Sequence, residues 1–189
     1  MTTTREQIIA TTSSLIERQG YHATGLNEIV RASGAPKGSL YYYFPHGKEE
    51  ITAAAIHWAA DMVTEHVAIN LQAHERPADA IRTFVHALAD HVEQSGFSAG
   101  GPLQMVAMET ASTSEPLNQV CRDAYQHLEA AFAAKLHTGG FSETTATRFA
   151  TIITAAVEGA ILLSRTYHST DPLRLMADAL GDLLTATPT

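Results

Sequence analysis

The chain has 189 residues, 45% of them apolar, with 12 basic against 20 acidic side chains, ten His and a single Cys. That length and composition suit one or two domains with a real core and exclude a disordered or fibrous chain, and one Cys excludes an intrachain disulfide. No basic stretch leads into an apolar one behind Met1 and no unbroken apolar run reaches bilayer length, so the expectation is a soluble cytoplasmic protein without membrane contact.

A net charge of −8 argues against a phosphate-rich partner, because such binding is driven by Lys and Arg displacing condensed counterions. The average hides an asymmetry. Residues 1–50 hold five basic and five acidic side chains and are neutral, while the remainder holds seven basic and fifteen acidic ones and carries the whole −8. Any phosphate-facing surface therefore belongs near the amino terminus.

Apolar spacing is helical nearly throughout, and no segment combines β-branched alternation with hairpin turn signals, so the fold class is all-α. The first helix is expected over 4–19, with Ile8, Ile9, Leu15 and Ile16 on one face and Gly20 ending it. A short second helix, 26–33, follows Thr24 and Gly25, carries Glu28 in its first turn and stops at Gly34. Pro36 opens a third short helix through residue 43. Longer helices are expected over 48–72, striped by Ile51, Ala55, Trp58 and Met62, and from Pro77, striped by Ile81, Phe84, Val85, Leu88 and Val92. The glycine-rich stretch 95–101 is a loop ended by Pro102. Helices 102–111, 115–136, 142–167 and 172–184 complete the chain. The second half of 142–167 is apolar on almost every side, so it must be covered from more than one direction.

The two short helices joined by Gly34-Ala35-Pro36 fit a helix-turn-helix, in which the second helix enters the major groove. The run Lys37-Gly38-Ser39-Leu40-Tyr41-Tyr42-Tyr43-Phe44-Pro45 sharpens that reading, because it crowds a lysine, a hydroxyl and three phenols onto two turns. Leu40, Phe44 and Tyr41 are assigned to packing; Lys37, Ser39, Tyr42 and Tyr43 are assigned to DNA.

These residues resemble the TetR family of bacterial transcriptional regulators over 20–51. The match reads Gly20-Tyr21, Thr24, Ile29, Gly34, the run from Lys37 to Pro45, and Lys48-Glu49-Glu50-Ile51. The resemblance implies that Ser39, Tyr42 and Lys48 touch phosphates, that Lys37, Gly38 and Tyr43 lie near bases or backbone, and that Thr24 belongs to the same surface. Two departures stand out: Gly25 replaces the family's usual hydroxyl N-cap, and Pro45-His46-Gly47-Lys48 is one residue longer than the commonest spacing. That longer loop, Gly101-Pro102-Leu103 with Glu109, and the segment from Val157 to Arg165 are similar to the LmrA/YxaF branch, whose members control multidrug-resistance genes and respond to aromatic small molecules.

The expected organisation is a three-helix DNA-binding domain, 1–46, and a larger ligand-binding and dimerisation domain, 47–189. For a dimer that reads a palindromic operator, small Ala155, Ala156, Gly159 and Ala160 would allow close helix approach while Leu173, Met176 and Leu180 supply an apolar seam. The alternative is that these stripes complete the monomer core. Trp58, Met62, Phe84, Met105, Met108, Tyr125 and Phe132 offer adaptable apolar surface for a small-molecule effector, with Glu109 and Glu158 to orient it. Each of these residues also suits an ordinary core.

Ten His raise a metal-responsive alternative through His57 with Asp61 and His86 with Asp90, each at i, i+4. An alternative of another class is a helical enzyme or carrier with a vestigial helix-turn-helix. No catalytic elbow, phosphate loop or metalloprotease helix is present in the sequence, so no enzyme, metal or cofactor is expected. The leading expectation is a homodimeric repressor that an aromatic or lipophilic effector releases from its operator.

Overall fold

A computed structural model describes residues 2–98 and 100–187. Its helices, in chain order, are α1 (Thr4–Gln19), α2 (Leu26–Ser33), α3 (Lys37–Tyr43), α4 (Lys48–Gln72), α5 (Pro77–Gln94), α6 (Pro102–Thr110), α7 (Glu115–Thr138), α8 (Glu143–Tyr167) and α9 (Asp171–Ala186). No strand occurs among the described residues. The fold is all-α, as the apolar spacing requires.

Local chemistry sets the ends of the short helices. Thr3 caps α1 through a reciprocal pair: its hydroxyl accepts the Glu6 N–H at 3.2 Å, and Glu6 accepts the Thr3 N–H at 2.7 Å. Gly34 ends α2 in the left-handed region, at φ 66° and ψ 5°, where a Cβ would be costly; this reversal turns the chain into α3. Gly25 leaves the N-terminus of α2 without a side-chain cap.

The chain forms two compact units. The first comprises residues 1–62 and 101–124. Its helix-turn-helix core joins Ile8, Ile9 and Leu15 of α1 with Ile29 of α2, Leu40 of α3 and Phe44. Ile51 and Ala55 of α4 fill the same core, so this unit runs past residue 46. A neighbouring cluster packs Ile16 and Ile56 against Val106 of α6 and Leu117 and Cys121 of α7. Burial pushes the Cys121 thiol up to about 11, which leaves it an inert thiol packed in the interior.

The second unit comprises residues 63–100 and 125–189. Ile81 and Val85 of α5, Phe132 and Leu136 of α7, Ile153 of α8 and Leu173, Ala177 and Leu180 of α9 form its core. Arg82 lies flat across Gly181, where a Cβ would stand 2.5 Å from the guanidinium carbon, and bonds Asp182 at 2.7 Å. Helix α8 is, by length and composition, long and apolar enough to cross a membrane, contrary to the expectation from unbroken runs. Here one of its faces packs in this unit's core.

Candidate nucleic-acid interface

Helix α3 separates its residues cleanly. Leu40 and Phe44 are buried at 0% and 1% exposure and hold the helix against α1 and α2. On the opposite side Lys37 and Gly38 are exposed, and Tyr42 is 80% exposed. Ser39 and Tyr43 are half-buried, and the Tyr43 ring meets the Tyr42 ring edge-on with centroids 5.1 Å apart. Apart from that ring contact, a tyrosine left this open has most of its surface free to meet a partner. The Tyr41 ring is 47% exposed and joins the outward face, which corrects its assignment to packing. Residues 37, 38, 41 and 42 share one arc of a 3.6-residue helix, while Leu40 falls outside it.

Two residues of the expected DNA-binding set turn inward. Thr24 is 1% exposed, and its hydroxyl donates to the Gly20 carbonyl at 2.7 Å, tightening the corner between α1 and α2. The Lys48 ammonium donates to the His22 carbonyl at 3.2 Å and lies 4.3 Å from the Tyr21 ring centroid. Burial holds this ammonium below the usual lysine range, with the Glu109 charge opposing the shift. The loop that precedes α4 explains the geometry: Gly47 has φ 77°, and the His46 N–H donates to Glu50 at 2.9 Å.

The expected effector residues divide between the units. Trp58, Met62, Met105, Met108 and Glu109 belong to the first. Met108 is 69% exposed, which corrects its assignment to a pocket, and Trp58 and Met62 are partly open. Glu109 accepts the His22 N–H at 2.7 Å and is therefore committed to the helix-turn-helix corner. In the second unit the Phe84 and Phe132 rings meet edge-on at 5.7 Å. Glu158 of α8 is largely buried, accepts a hydrogen bond from the Tyr125 side chain, and is pushed up by burial to about 7. One turn earlier on α8, Thr154 is 6% exposed and its hydroxyl has no hydrogen-bond partner. Other helical threonines, such as Thr12 and Thr166, spend that hydroxyl on the carbonyl four residues back. The side-chain pattern did not single out Thr154, because a threonine on an apolar helix reads as filler.

A cleft of about 500 Å³ also lies between α7 and α8, floored by Ala130, Ala133, Ala134, Ala146 and Ala150, with Glu129 and Glu143 among its lining. None of the expected effector residues lines it. Its sequence signal is the alanine-rich stretch of α7, where larger side chains are missing.

The expected dimer seam needs a larger correction. Ala160, Leu173 and Leu180 are buried at 3%, 0% and 3% exposure and belong to the monomer core. Ala155 and Gly159 are exposed, and Ala156 and Met176 are half-buried. The open apolar surface is instead Ile152, Leu162 and Leu163 of α8 with Leu175 and Leu183 of α9. A Cβ on Gly159 would meet nothing within 4 Å in this chain.

The pair His86 and Asp90 does not come together as a site. His86 faces Asp178 at 3.2 Å, and Asp90 instead takes the Arg174 guanidinium at 2.7 Å. Among the described residues no cluster of three or more His, Cys, Asp or Glu side chains is placed to hold an ion.

The chain is similar to known proteins along most of its length. Residues 8–55 match the tetR family of bacterial regulatory proteins, and residues 77–179 match the C-terminal domain of LmrA/YxaF-like transcriptional regulators. The HTH-type transcriptional regulators YxaF and LmrA of Bacillus subtilis are 41% and 37% identical over 180 residues, spanning 95% of this chain and 94% and 96% of theirs. A TetR transcriptional regulator from Chloroflexus aurantiacus superposes with a TM-score of 0.79 at 27% identity, covering 97% of this chain and 95% of that one. One from Legionella pneumophila reaches 0.81 at 23% identity, over 97% and 98%, which speaks to the fold alone.

Proposed function

The chain belongs to the TetR family of DNA-binding transcriptional regulators, and on that premise we propose a homodimeric repressor that leaves a palindromic operator when an aromatic or lipophilic effector binds its C-terminal domain. It is not an enzyme. It acts in the cytoplasm, where the DNA is.

The observation that carries the reading is the outward face of α3, with Lys37 and an 80%-exposed Tyr42 backed by a fully buried Leu40. Lys37 neutralises phosphate charge; Tyr42 donates its phenol to a phosphate oxygen; Gly38 lets the helix approach closely; Ser39 and Tyr43 complete the surface. Thr24 and Lys48 serve from behind by holding the corner that presents this helix.

Reading two half-sites requires two copies whose recognition helices lie about 34 Å apart or a multiple of it. The outward faces of α8 and α9 supply the contact: Ile152, Leu162, Leu175 and Leu183 give apolar area, and Gly159 with Ala155 lets the helices close. Phe84, half-buried and backed by the fully buried Phe132 ring, offers flat apolar surface to the effector, and Glu158, Tyr125 and Thr154 offer polar groups to orient it. An effector that prefers the wrong half-site spacing shifts the population away from DNA, by no more than its preference for that state.

Gel shifts on genomic fragments retained by the purified chain, with and without a panel of uncharged aromatic compounds, test both halves. Lys37→Ala combined with Tyr42→Phe weakens binding at least tenfold. Unchanged binding by that double variant removes α3 from the interface.

A further inference from the structure

We propose that Glu109 and Lys48 are positioning residues for operator binding: they grip the backbone of His22 from opposite sides and so set the direction in which α2 and α3 leave α1, without touching DNA. This rests on the operator reading above and assigns both residues a role other than effector or phosphate contact.

The geometry is specific. His22 lies in the corner between α1 and α2. Its N–H donates to Glu109 Oε2 at 2.7 Å, and its carbonyl accepts from Lys48 Nζ at 3.2 Å. One residue's backbone is thus held at both polar atoms, by opposite charges, from the end of α6 and the start of α4. The other carboxylate oxygen of Glu109 occupies the space beside Gly20: a Cβ there would lie 2.1 Å from Oε1. Gly20 also has φ 86°, so a side chain at position 20 would be strained and would displace the Glu109 carboxylate. The corner is closed from within by the Thr24 hydroxyl on the Gly20 carbonyl.

Further contacts place α6 against the same framework. Near its start the Gly101 N–H donates to Glu17 of α1 at 2.8 Å, and beyond its end the Ser114 hydroxyl bonds Glu49 of α4. Helix α6 is therefore tied to α1 near its start, to the corner after α1 through Glu109, and to α4 just beyond its end. Charge-assisted bonds to a backbone are about twice as strong as neutral ones, so the corner follows α6 when α6 moves.

Electrostatics alone makes the opposite forecast. Glu109 is a negative charge in a DNA-binding unit, and removing it should tighten binding if only long-range repulsion matters. A positioning role predicts weakening. For Lys48 the discriminator is salt, because loss of a phosphate contact flattens the dependence of log K on log salt by about 0.9 per contact, or about 1.8 for the two copies of the proposed dimer, whereas loss of a positioning contact leaves the slope alone.

The experiment titrates the full-length chain onto the operator fragment selected by the parent, at several salt concentrations. Glu109→Gln and Lys48→Met each bind about tenfold more weakly with the parental salt slope, and the double variant is little worse than either single one. Lys37→Ala flattens the slope by about one phosphate contact per copy, about two for the dimer, and provides the contrast. Glu109→Gln binding as well as or better than the parent overturns the proposal, as does a Lys48→Met slope reduced like that of Lys37→Ala. Circular dichroism melts confirm folding; if Glu109→Gln is unfolded at the assay temperature, the Lys48→Met slope decides alone. A parent chain that retains no DNA fragment overturns the operator reading itself, and this proposal with it.

Discussion

At the scale of single residues, Glu158 makes the sharpest thermodynamic prediction. Burial raises its carboxyl from 4.5 to about 7, so the folded chain holds this proton more tightly than the unfolded chain does. The associated stability is fully present below pH 4.5 and is lost as pH rises toward 7, up to an order of 3 kcal/mol. Glu158→Gln removes the penalty without changing shape. Its stability relative to the parent should climb between pH 4.5 and 7 and then level off, as read from urea unfolding across that range; a flat difference refutes the burial argument. The residue was legible in the sequence as a carboxylate on an apolar helix, but its Tyr125 partner was not, because the bond joins positions on two helices.

At the scale of elements, α9 shows how a helix carries two messages at once. Leu173, Ala177, Leu180 and Leu184 face the core, while Leu175 and Leu183 face outward. Periodicity reports that an apolar stripe will be covered, and is silent on whether the cover is the same chain or a second copy. Substitution separates the two. Leu180→Ala should cost about 2–5 kcal/mol by opening a cavity, measured by thermal or denaturant unfolding. Leu175→Glu with Leu183→Glu should leave the fold intact and shift the dimer to monomer in sedimentation. A monomeric parent refutes the dimer, and a charged variant that stays dimeric places the interface elsewhere. The same ambiguity explains why Tyr41 was assigned inward: on a seven-residue helix, one residue of rotation decides which phenols see solvent.

At the scale of the whole molecule, the proposed function depends on the distance between two copies of α3 in the proposed dimer. A rigid dimer reads half-sites on one face of the duplex, about ten base pairs apart or a multiple of that. Inserting five base pairs between them rotates one half-site to the opposite face. Gel shifts on that operator should lose most of the specific affinity, and inserting ten, which restores the face but adds about 34 Å, should not recover it in a rigid dimer. Equal binding to all three operators would mean that the copies read DNA independently.

Helix count, the helix-turn-helix and the residues that seal it were determined by the sequence alone, because they follow from local rules: apolar period, glycine and proline at helix ends, and a phenol-rich run beside a lysine. Ile8, Ile29, Leu40 and Phe44 share one core because each lies on the apolar side of a short helix with one way to pack. Only the tertiary structure decided where Thr24, Lys48 and Glu109 point and which side of α9 remains open. Those outcomes are set by contacts between residues far apart in the chain. Polar side chains take whichever partner folding brings within about 3 Å, and no pattern along a single helix records that partner.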